Sequence, residues 1–189
     1  QTEMIAAYGE QLLEWLETYT FPTESKFADI TYAEKISKIF LNELLRAGTT
    51  TALVFGTVHP NSVEALFIEA QKRNLRIIAG KVMMDRNCPD YLQDTAETGY
   101  QESKELIEKW HNNGRIRYAV TPRFAPTSTP EQLEKAGQLL QEYPDVYMHT
   151  HLSENKDEIG WVKSLFPECE TYLDTYDQAG LLGRRSIFA

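Results

Sequence analysis

Residues 49–56 read Thr-Thr-Thr-Ala-Leu-Val-Phe-Gly, a β-branched and apolar run with almost no alternation. A run of this kind is typical of a strand that is buried on both faces. Three later runs share the pattern, and a stretch with helical spacing separates each from the one before: residues 76–84, 116–121 and 146–151. Strands that alternate with helices in this way predict an α/β fold with a parallel sheet and right-handed crossovers.

The stretches around these strands carry the apolar periodicity of helices. We expect helices over residues 5–19, 32–47, 63–73, about 96–111, about 130–143 and 157–166, and a fifth strand that opens at Ile187. Thr31 and Ser62 are plausible N-caps, and Gly48 is a C-terminal stop. Pro22 is expected to end the first helix, because its ring is incompatible with a helix interior.

Two architectures fit this order of elements, an open doubly wound sheet and part of a (β/α)8 barrel. A whole barrel typically needs about 250 residues, and a chain of 189 residues with four or five strands holds roughly half of one. No GxGxxG motif follows any predicted strand. The sequence therefore lacks the main motif of dinucleotide binding. Both architectures stay open.

Composition narrows the class of partner. The chain is 42% hydrophobic and 25% charged, and it has a net charge of −9 without a basic cluster. An acidic surface gains no counterion-release affinity for a nucleic acid, so we expect no nucleic-acid partner. No apolar run approaches the roughly 18 residues of a membrane span, so we expect no membrane partner. Cys88 and Cys169 lack metal-type spacing, and two free thiols predict a cytoplasmic protein.

Polar side chains follow the third and fourth predicted strands, where parallel α/β folds build their sites. His151 ends the fourth strand, three residues before Glu154. An imidazole can bind a divalent metal, and a nearby carboxylate can move the proton of an activated water. A histidine with a purely structural role explains the same spacing. His149 points the same way as His151 and has the same two interpretations.

Arg123 and Phe124 follow Pro122 at the end of the third strand. The guanidinium could donate to a carbonyl or carboxylate oxygen, and the phenyl ring could stack on a planar heterocycle. A surface ion pair and ordinary core packing are the alternatives.

Other polar residues are assigned simpler roles. We expect His59 and His111 to have plain surface roles and Asp85 to be a solvated loop charge rather than a metal ligand. The acidic helix face that includes Glu102 is also expected to be solvated.

Several segments, taken in chain order, resemble the amidohydrolase superfamily. Residues 48–51 (Gly-Thr-Thr-Thr) before a strand resemble its second barrel strand, and residues 149–155 (His-Thr-His-Leu-Ser-Glu-Asn) resemble its fifth. More narrowly, the chain is similar to the guanine deaminases in the following segments: 9–16, 19–22, 80–85 and 120–124. The resemblance implies a partial (β/α)8 TIM barrel, about strands 2 to 5 plus the start of strand 6, with outer helices around a parallel sheet.

The resemblance also implies a reaction, the zinc-dependent hydrolytic deamination of guanine to xanthine and ammonia. By it, His151 is a zinc ligand and Glu154 is the proton shuttle. Arg123 holds the carbonyl oxygen of the purine, and Phe124 lies against its ring. Gln1 matches a glutamine that contacts guanine in this family. His149 is not a family ligand.

The departures from the family pattern bear on the metal. The family's first-strand HxH pair, sixth-strand histidine and eighth-strand aspartate have no counterpart in this sequence. We therefore expect residues 1–189 to be a single incomplete barrel domain that is inactive by itself and that forms a homo-oligomer through its open sheet edges. Three alternatives stay open: a deaminase or chlorohydrolase of another heterocycle, a catalytically inert fragment, and an unrelated α/β binding module.

Overall fold

A computed structural model describes residues 12–189. The helices are α1 (Leu12–Trp15), α2 (Phe21–Glu24), α3 (Ile30–Arg46), α4 (Pro60–Lys72), α5 (Ala96–Trp110), α6 (Pro130–Glu142), α7 (Lys156–Leu165) and α8 (Tyr172–Gln178). The strands are β1 (Thr51–Phe55), β2 (Arg76–Gly80), β3 (Val82–Met83), β4 (Arg117–Pro122), β5 (Tyr147–Thr150) and β6 (Ser186–Phe188). A π-helical turn (Leu16–Thr20) joins α1 to α2, and a 3-10 turn (Ser25–Ala28) follows α2.

The strands form one parallel sheet in the order β1-β2-β4-β5-β6, and β3 pairs with β4 further along. The order follows the chain without a reversal, so each crossover advances in the same direction, as in a barrel. A doubly wound sheet reverses its direction at a switch point. The predicted partial (β/α)8 barrel is confirmed, and the doubly wound alternative does not fit. No helix within residues 12–189 is long and apolar enough to cross a membrane.

Two apolar clusters hold these layers together. The larger lies between the sheet and helices α3 to α8, with fully buried residues such as Phe67, Tyr118 and Leu133. The smaller lies where the helical segment that begins at α1 meets the end of β3 and the turn after β4. Its buried members are Leu16, Phe21, Val58, Val82, Met84, Leu92 and Phe124. Phe124 is also one of the predicted site residues, so the packing of this smaller cluster positions the candidate site.

The first predicted helix continues beyond Pro22, so the prediction that Pro22 ends it is wrong. Pro22 lies in the first turn of α2, where a missing N–H breaks no helical hydrogen bond. The π-helical turn before it, closed by the N–H of Phe21 and the carbonyl of Leu16, widens the chain path ahead of the proline.

Both predicted N-caps are also wrong, each by two or three residues. Asp29 caps α3, and its carboxylate accepts a hydrogen bond from the backbone N–H of Thr31. His59 is the N-cap residue of α4, while the Ser62 hydroxyl donates to the carbonyl of His59. Gly48, with φ of 78°, ends α3 as predicted, since that left-handed backbone favours glycine.

Strand β1 is less buried than its sequence predicts. All of its residues except the exposed Thr51 are only half-buried, because β1 pairs with β2 alone among residues 12–189. The run at 76–84 is divided at Lys81 into β2 and β3. Helix α8 is absent from the sequence-based expectations, since its seven residues are too few to show a helical period.

Candidate active site

The ends of β3, β4 and β5 are joined by backbone hydrogen bonds that meet at Arg123. Its N–H donates to the carbonyl of Met83 at 3.2 Å, and its carbonyl accepts from the N–H of His151 at 3.2 Å. A cavity of about 540 Å³ opens beside these strand ends, and its walls include Arg123, Phe124, His151 and Glu154. The structure thus brings together four of the predicted site residues. Gln1 lies outside the described residues.

The ring of His151 is fixed by two contacts. Its Nδ1 lies 2.8 Å from the carbonyl oxygen of Arg123, and its face stacks on Phe55 with centroids 4.0 Å apart. A carbonyl oxygen can only accept, so Nδ1 carries the hydrogen and Nε2 of the neutral ring presents a lone pair. A metal-binding histidine is usually oriented in this way, by a hydrogen bond from its other ring nitrogen to a carbonyl oxygen.

Arg123 is buried, with 9% of its side chain exposed, and is paired with Glu24. Its Nη1 donates to both carboxylate oxygens of Glu24, at 3.0 and 2.8 Å. The guanidinium lies over the ring of Phe21, with the central carbon 5.3 Å from the ring centroid. Within residues 12–189, Nε and Nη2 have no hydrogen-bond partner. Two donor groups of Arg123 are therefore left for a ligand.

Glu24 is a site residue that sequence reasoning missed. It is separated from Arg123 by 99 positions, and no local pattern connects the two. The only available signal is its place, two residues after the Phe21-Pro22 pair that belongs to the family resemblance.

Glu154 lies on the exposed rim of the cavity. It follows Ser153, whose φ of 60° turns the chain away from the end of β5. The next residue, Asn155, caps α7 in a capping box with Glu158, which fixes the far side of this turn. Within residues 12–189 the Glu154 carboxylate has no hydrogen-bond partner. A carboxylate held by its backbone but free at its oxygens can carry a proton.

Phe124 packs in the apolar core, and it also borders the cavity. It is buried in the smaller apolar cluster, and its ring meets Trp161 edge to face with centroids 6.4 Å apart. Its side chain also borders the cavity. Packing thus fixes a flat apolar wall beside Arg123.

His149 is buried, and its ring is tilted by 33° to the ring of Phe55, with ring centroids 3.7 Å apart. Burial, and secondarily the charge of His151, lower the pKa of His149 to about 4. Its buried Nδ1 has no partner within residues 12–189. The ring is therefore neutral near neutral pH, and its placement fits a structural histidine of the sheet interior.

The surface roles expected for His59 and His111 are wrong. Only 6% of the His111 side chain is exposed, and its Nδ1 accepts the backbone N–H of Tyr118 at 3.1 Å. His59 is half-buried at the start of α4. Burial lowers the pKa of both rings. Their loop positions suggested exposure, but both loops fold back against the sheet.

Asp85, expected to be a solvated loop charge, is held by the fold, whereas Glu102 keeps 39% of its side chain exposed and also forms an ion pair. The carboxylate of Asp85 accepts the N–H of Thr129 at 2.7 Å and also its hydroxyl, which fixes the start of α6. Glu102 lies 2.9 Å from the ammonium of the buried Lys81. Asp85 thus has a structural role at the start of α6.

The described residues fit one position of a metal site. His151 offers Nε2, but residues 12–189 contain no group of three His, Cys, Asp or Glu side chains that could hold a metal ion. Catalytic zinc sites use three protein ligands. Among the described residues, His151 is therefore a single oriented imidazole that could serve as one ligand of a metal ion.

Comparison with known proteins shows the family and the fold to which these residues belong. The amidohydrolase family matches residues 1–189. The guanine deaminase of Escherichia coli (strain K12) is 65% identical over 189 residues, which are 100% of this chain and 43% of that protein. The chain therefore spans less than half the length of this relative.

Two solved structures have the same fold at high similarity. One is E. coli guanine deaminase, with a TM-score of 0.98 and 64% identity, covering 100% of this chain and 44% of that one. The other is guanine deaminase from C. acetobutylicum with guanine bound in the active site. Its TM-score is 0.91 and its identity 37%, covering 95% of this chain and 43% of that one.

Proposed function

Since the chain belongs to the amidohydrolase family, we propose that it forms the central part of a zinc-dependent guanine deaminase. The reaction is the hydrolysis of guanine to xanthine and ammonia. One observation carries the proposal: the main chain of Arg123 orients the His151 imidazole, while its side chain presents free donors in the same cavity. A metal ligand and a donor for a carbonyl oxygen are thereby held by one residue.

Four residues divide the work in this proposal. His151 would be one zinc ligand through Nε2, and zinc, when bound, would supply an activated water molecule as the nucleophile. Glu154 takes up a proton and delivers it to the ring nitrogen beside the amino-bearing carbon. Arg123 donates to the carbonyl oxygen of guanine, and Phe124 lies against the ring. Gln1 is proposed as a further guanine contact on the resemblance alone.

Arg123 favours guanine over other heterocycles. Its free Nε and Nη2 are donors, and a ring without a carbonyl leaves them without a partner. Buried donors that lose their partner weaken binding by far more than a missing methylene does. The chlorohydrolase alternative gains no comparable support from the site.

We also propose the wider setting. Residues 1–189 act as one incomplete barrel domain, inactive alone because His151 cannot hold zinc without the other ligands. The free thiols of Cys88 and Cys169 suit the cytoplasm. Within residues 12–189, β1 and β6 each pair with one strand only, and such edges favour self-association of the isolated chain.

The experiment uses a protein that contains residues 1–189 and has the length of the guanine deaminase relatives. It is called the full-length protein below. Glu154→Gln is expected to keep its zinc and to lower kcat for guanine about 10²-fold or more, since a general acid–base group is lost. His151→Ala is expected to lose zinc and activity together. Steady-state kinetics and zinc content are the measurements. Near-normal turnover in Glu154→Gln, or retained zinc in His151→Ala, would show that these roles are wrong.

A further inference from the structure

We propose that Glu24 is the residue that positions Arg123 and makes the site selective for a neutral carbonyl oxygen over an anion. The inference rests on the proposed function, in which Arg123 binds the carbonyl of the purine. Glu24 is not itself expected to touch the reacting atoms.

The geometry of the pair leaves Arg123 only part of its donors. Both oxygens of Glu24 contact the same nitrogen, Nη1. A carboxylate can instead engage a guanidinium through two parallel bonds that occupy two nitrogens. By converging on Nη1, Glu24 anchors the guanidinium and leaves Nε and Nη2 available.

The plane of the guanidinium is also fixed. Phe21 lies beneath it at 5.3 Å, and Glu24 belongs to the same short helix, α2. The Thr23 hydroxyl, between them in sequence, donates to the carbonyl of Tyr19 and ties this helix to the preceding π-helical turn. One face and one nitrogen of Arg123 are therefore held from the same segment.

The charge of Glu24 sets what the free donors can bind. With side-chain exposures of 9% and 15%, Arg123 and Glu24 form an ion pair that is largely removed from water. A buried guanidinium without a counter-charge strongly attracts an anion, because its own desolvation is uncompensated. With Glu24 in place the pair is neutral overall, and a neutral oxygen that accepts two hydrogen bonds is the better ligand.

The test is calorimetric titration of the full-length protein with three purines, which measures binding without hydrolysis. Hypoxanthine has the carbonyl but lacks the amino group of guanine, purine lacks the carbonyl, and purine-6-carboxylate carries an anion at that position. In Glu24→Gln, hypoxanthine is expected to bind roughly ten- to a hundredfold more weakly, the scale of a hydrogen bond to a charged group. Purine is expected to bind as before, and purine-6-carboxylate more tightly.

A second variant separates charge from position. Glu24→Asp keeps the charge on a shorter side chain, so hypoxanthine is expected to bind more weakly while purine-6-carboxylate shows no gain. The matched control is Glu69→Gln. Glu69 is a buried carboxylate outside the cavity, 2.7 Å from Lys72 and also paired with Arg73. Its loss is expected to lower stability and to leave all three affinities unchanged.

The proposal is overturned if Glu24→Gln weakens all three purines equally, or if purine-6-carboxylate gains no affinity. Either result would give Glu24 a structural role only. The proposed function is tested separately by guanine turnover in the wild-type full-length protein, so the titrations decide on Glu24 whichever substrate that protein hydrolyses.

Discussion

Two buried cations lie at the ends of neighbouring strands, and they are used in opposite ways. Lys81, between β2 and β3, has no exposed side-chain surface and lies between two carboxylates, Asp94 at 2.8 Å and Glu102 at 2.9 Å. Arg123, after β4, pairs with Glu24 alone, and the described chain leaves its Nε and Nη2 without partners beside the cavity. The first cation is enclosed by counter-charges, and the second retains donors.

The surroundings of Lys81 explain why it belongs to the scaffold. Asp94 also accepts the N–H of Met84 at 3.1 Å and the side-chain amide of Gln132 at 2.7 Å. Only 6% of the Asp94 side chain is exposed, and burial raises the pKa of Asp94 although Lys81 opposes this shift. The difference teaches that a buried charge alone does not indicate a ligand-binding site. Unpaired hydrogen-bond donors that border a cavity do indicate one.

The largest expected effect is on Lys81. Lys81→Met leaves Asp94 buried without its closest counter-charge, and breaking a buried pair in this way costs roughly 3–5 kcal/mol. Denaturant unfolding of the full-length protein measures it. The control is Lys104→Met, which removes a more exposed ion pair with Glu142 and is expected to change little. Equal losses in the two variants would contradict the scaffold role of Lys81.

The comparison is sharpened by Arg123→Lys, which gives the second cation the chemistry of the first. The ammonium keeps its charge beside Glu24 but loses the planar fork that reaches the cavity. The free energy of unfolding is expected to stay near that of the wild type, while guanine binds roughly ten- to a hundredfold more weakly. Steady-state KM and thermal unfolding are the measurements. An unchanged KM would mean that Arg123 serves only the scaffold.

Tyr176 holds the backbone next to Arg123 and His151 at the candidate site. Its hydroxyl donates to the carbonyl of His151 at 2.9 Å and accepts the N–H of Ala125 at 2.9 Å. Tyr176→Phe removes the partner of the buried Ala125 N–H and of the part-buried His151 carbonyl, a loss of roughly 1–3 kcal/mol, and by the proposed function it is expected to weaken zinc binding at His151. Unfolding and zinc titration test this. Tyr147→Phe on β5 is the control, and a similar loss of zinc affinity there would argue against a specific role.

The smallest expected effect concerns pH and His111. Its Nδ1 accepts the Tyr118 N–H, so protonation is unfavourable in the folded state, and burial lowers the pKa of His111 below the ordinary histidine value of 6.5. The unfolded chain then binds more protons below pH 6.5, and stability that is complete above this pH is lost as the pH falls.

His111→Asn is expected to flatten this pH dependence. Because burial also lowers the pKa of His59, the readout is the difference between variant and wild-type unfolding free energies from about pH 8 to pH 5. A difference that stays constant across this range would show that His111 does not titrate as its burial requires.

Local signals carried most of the fold prediction. Apolar runs predicted the parallel strands, and helical spacing predicted a helix from about residue 130, where α6 begins after its N-cap residue Thr129. The misplaced caps of α3 and α4 show the limit, because several polar residues near a helix start can serve equally well. The end of the first helix was missed since a π-helical turn leaves no sequence pattern.

The sequence by itself determined which strand ends carry Arg123, Phe124, His151 and Glu154, because strand periodicity and the family resemblance both depend on residues near each other in the chain. Only the tertiary structure decided the partners of the charges. Glu24 reaches Arg123 across 99 positions, and the carboxylate of Asp94 accepts from the side-chain amide of Gln132 across 38. The energy of such contacts depends on distance and on exclusion of water, and neither is fixed until the helices pack against the sheet.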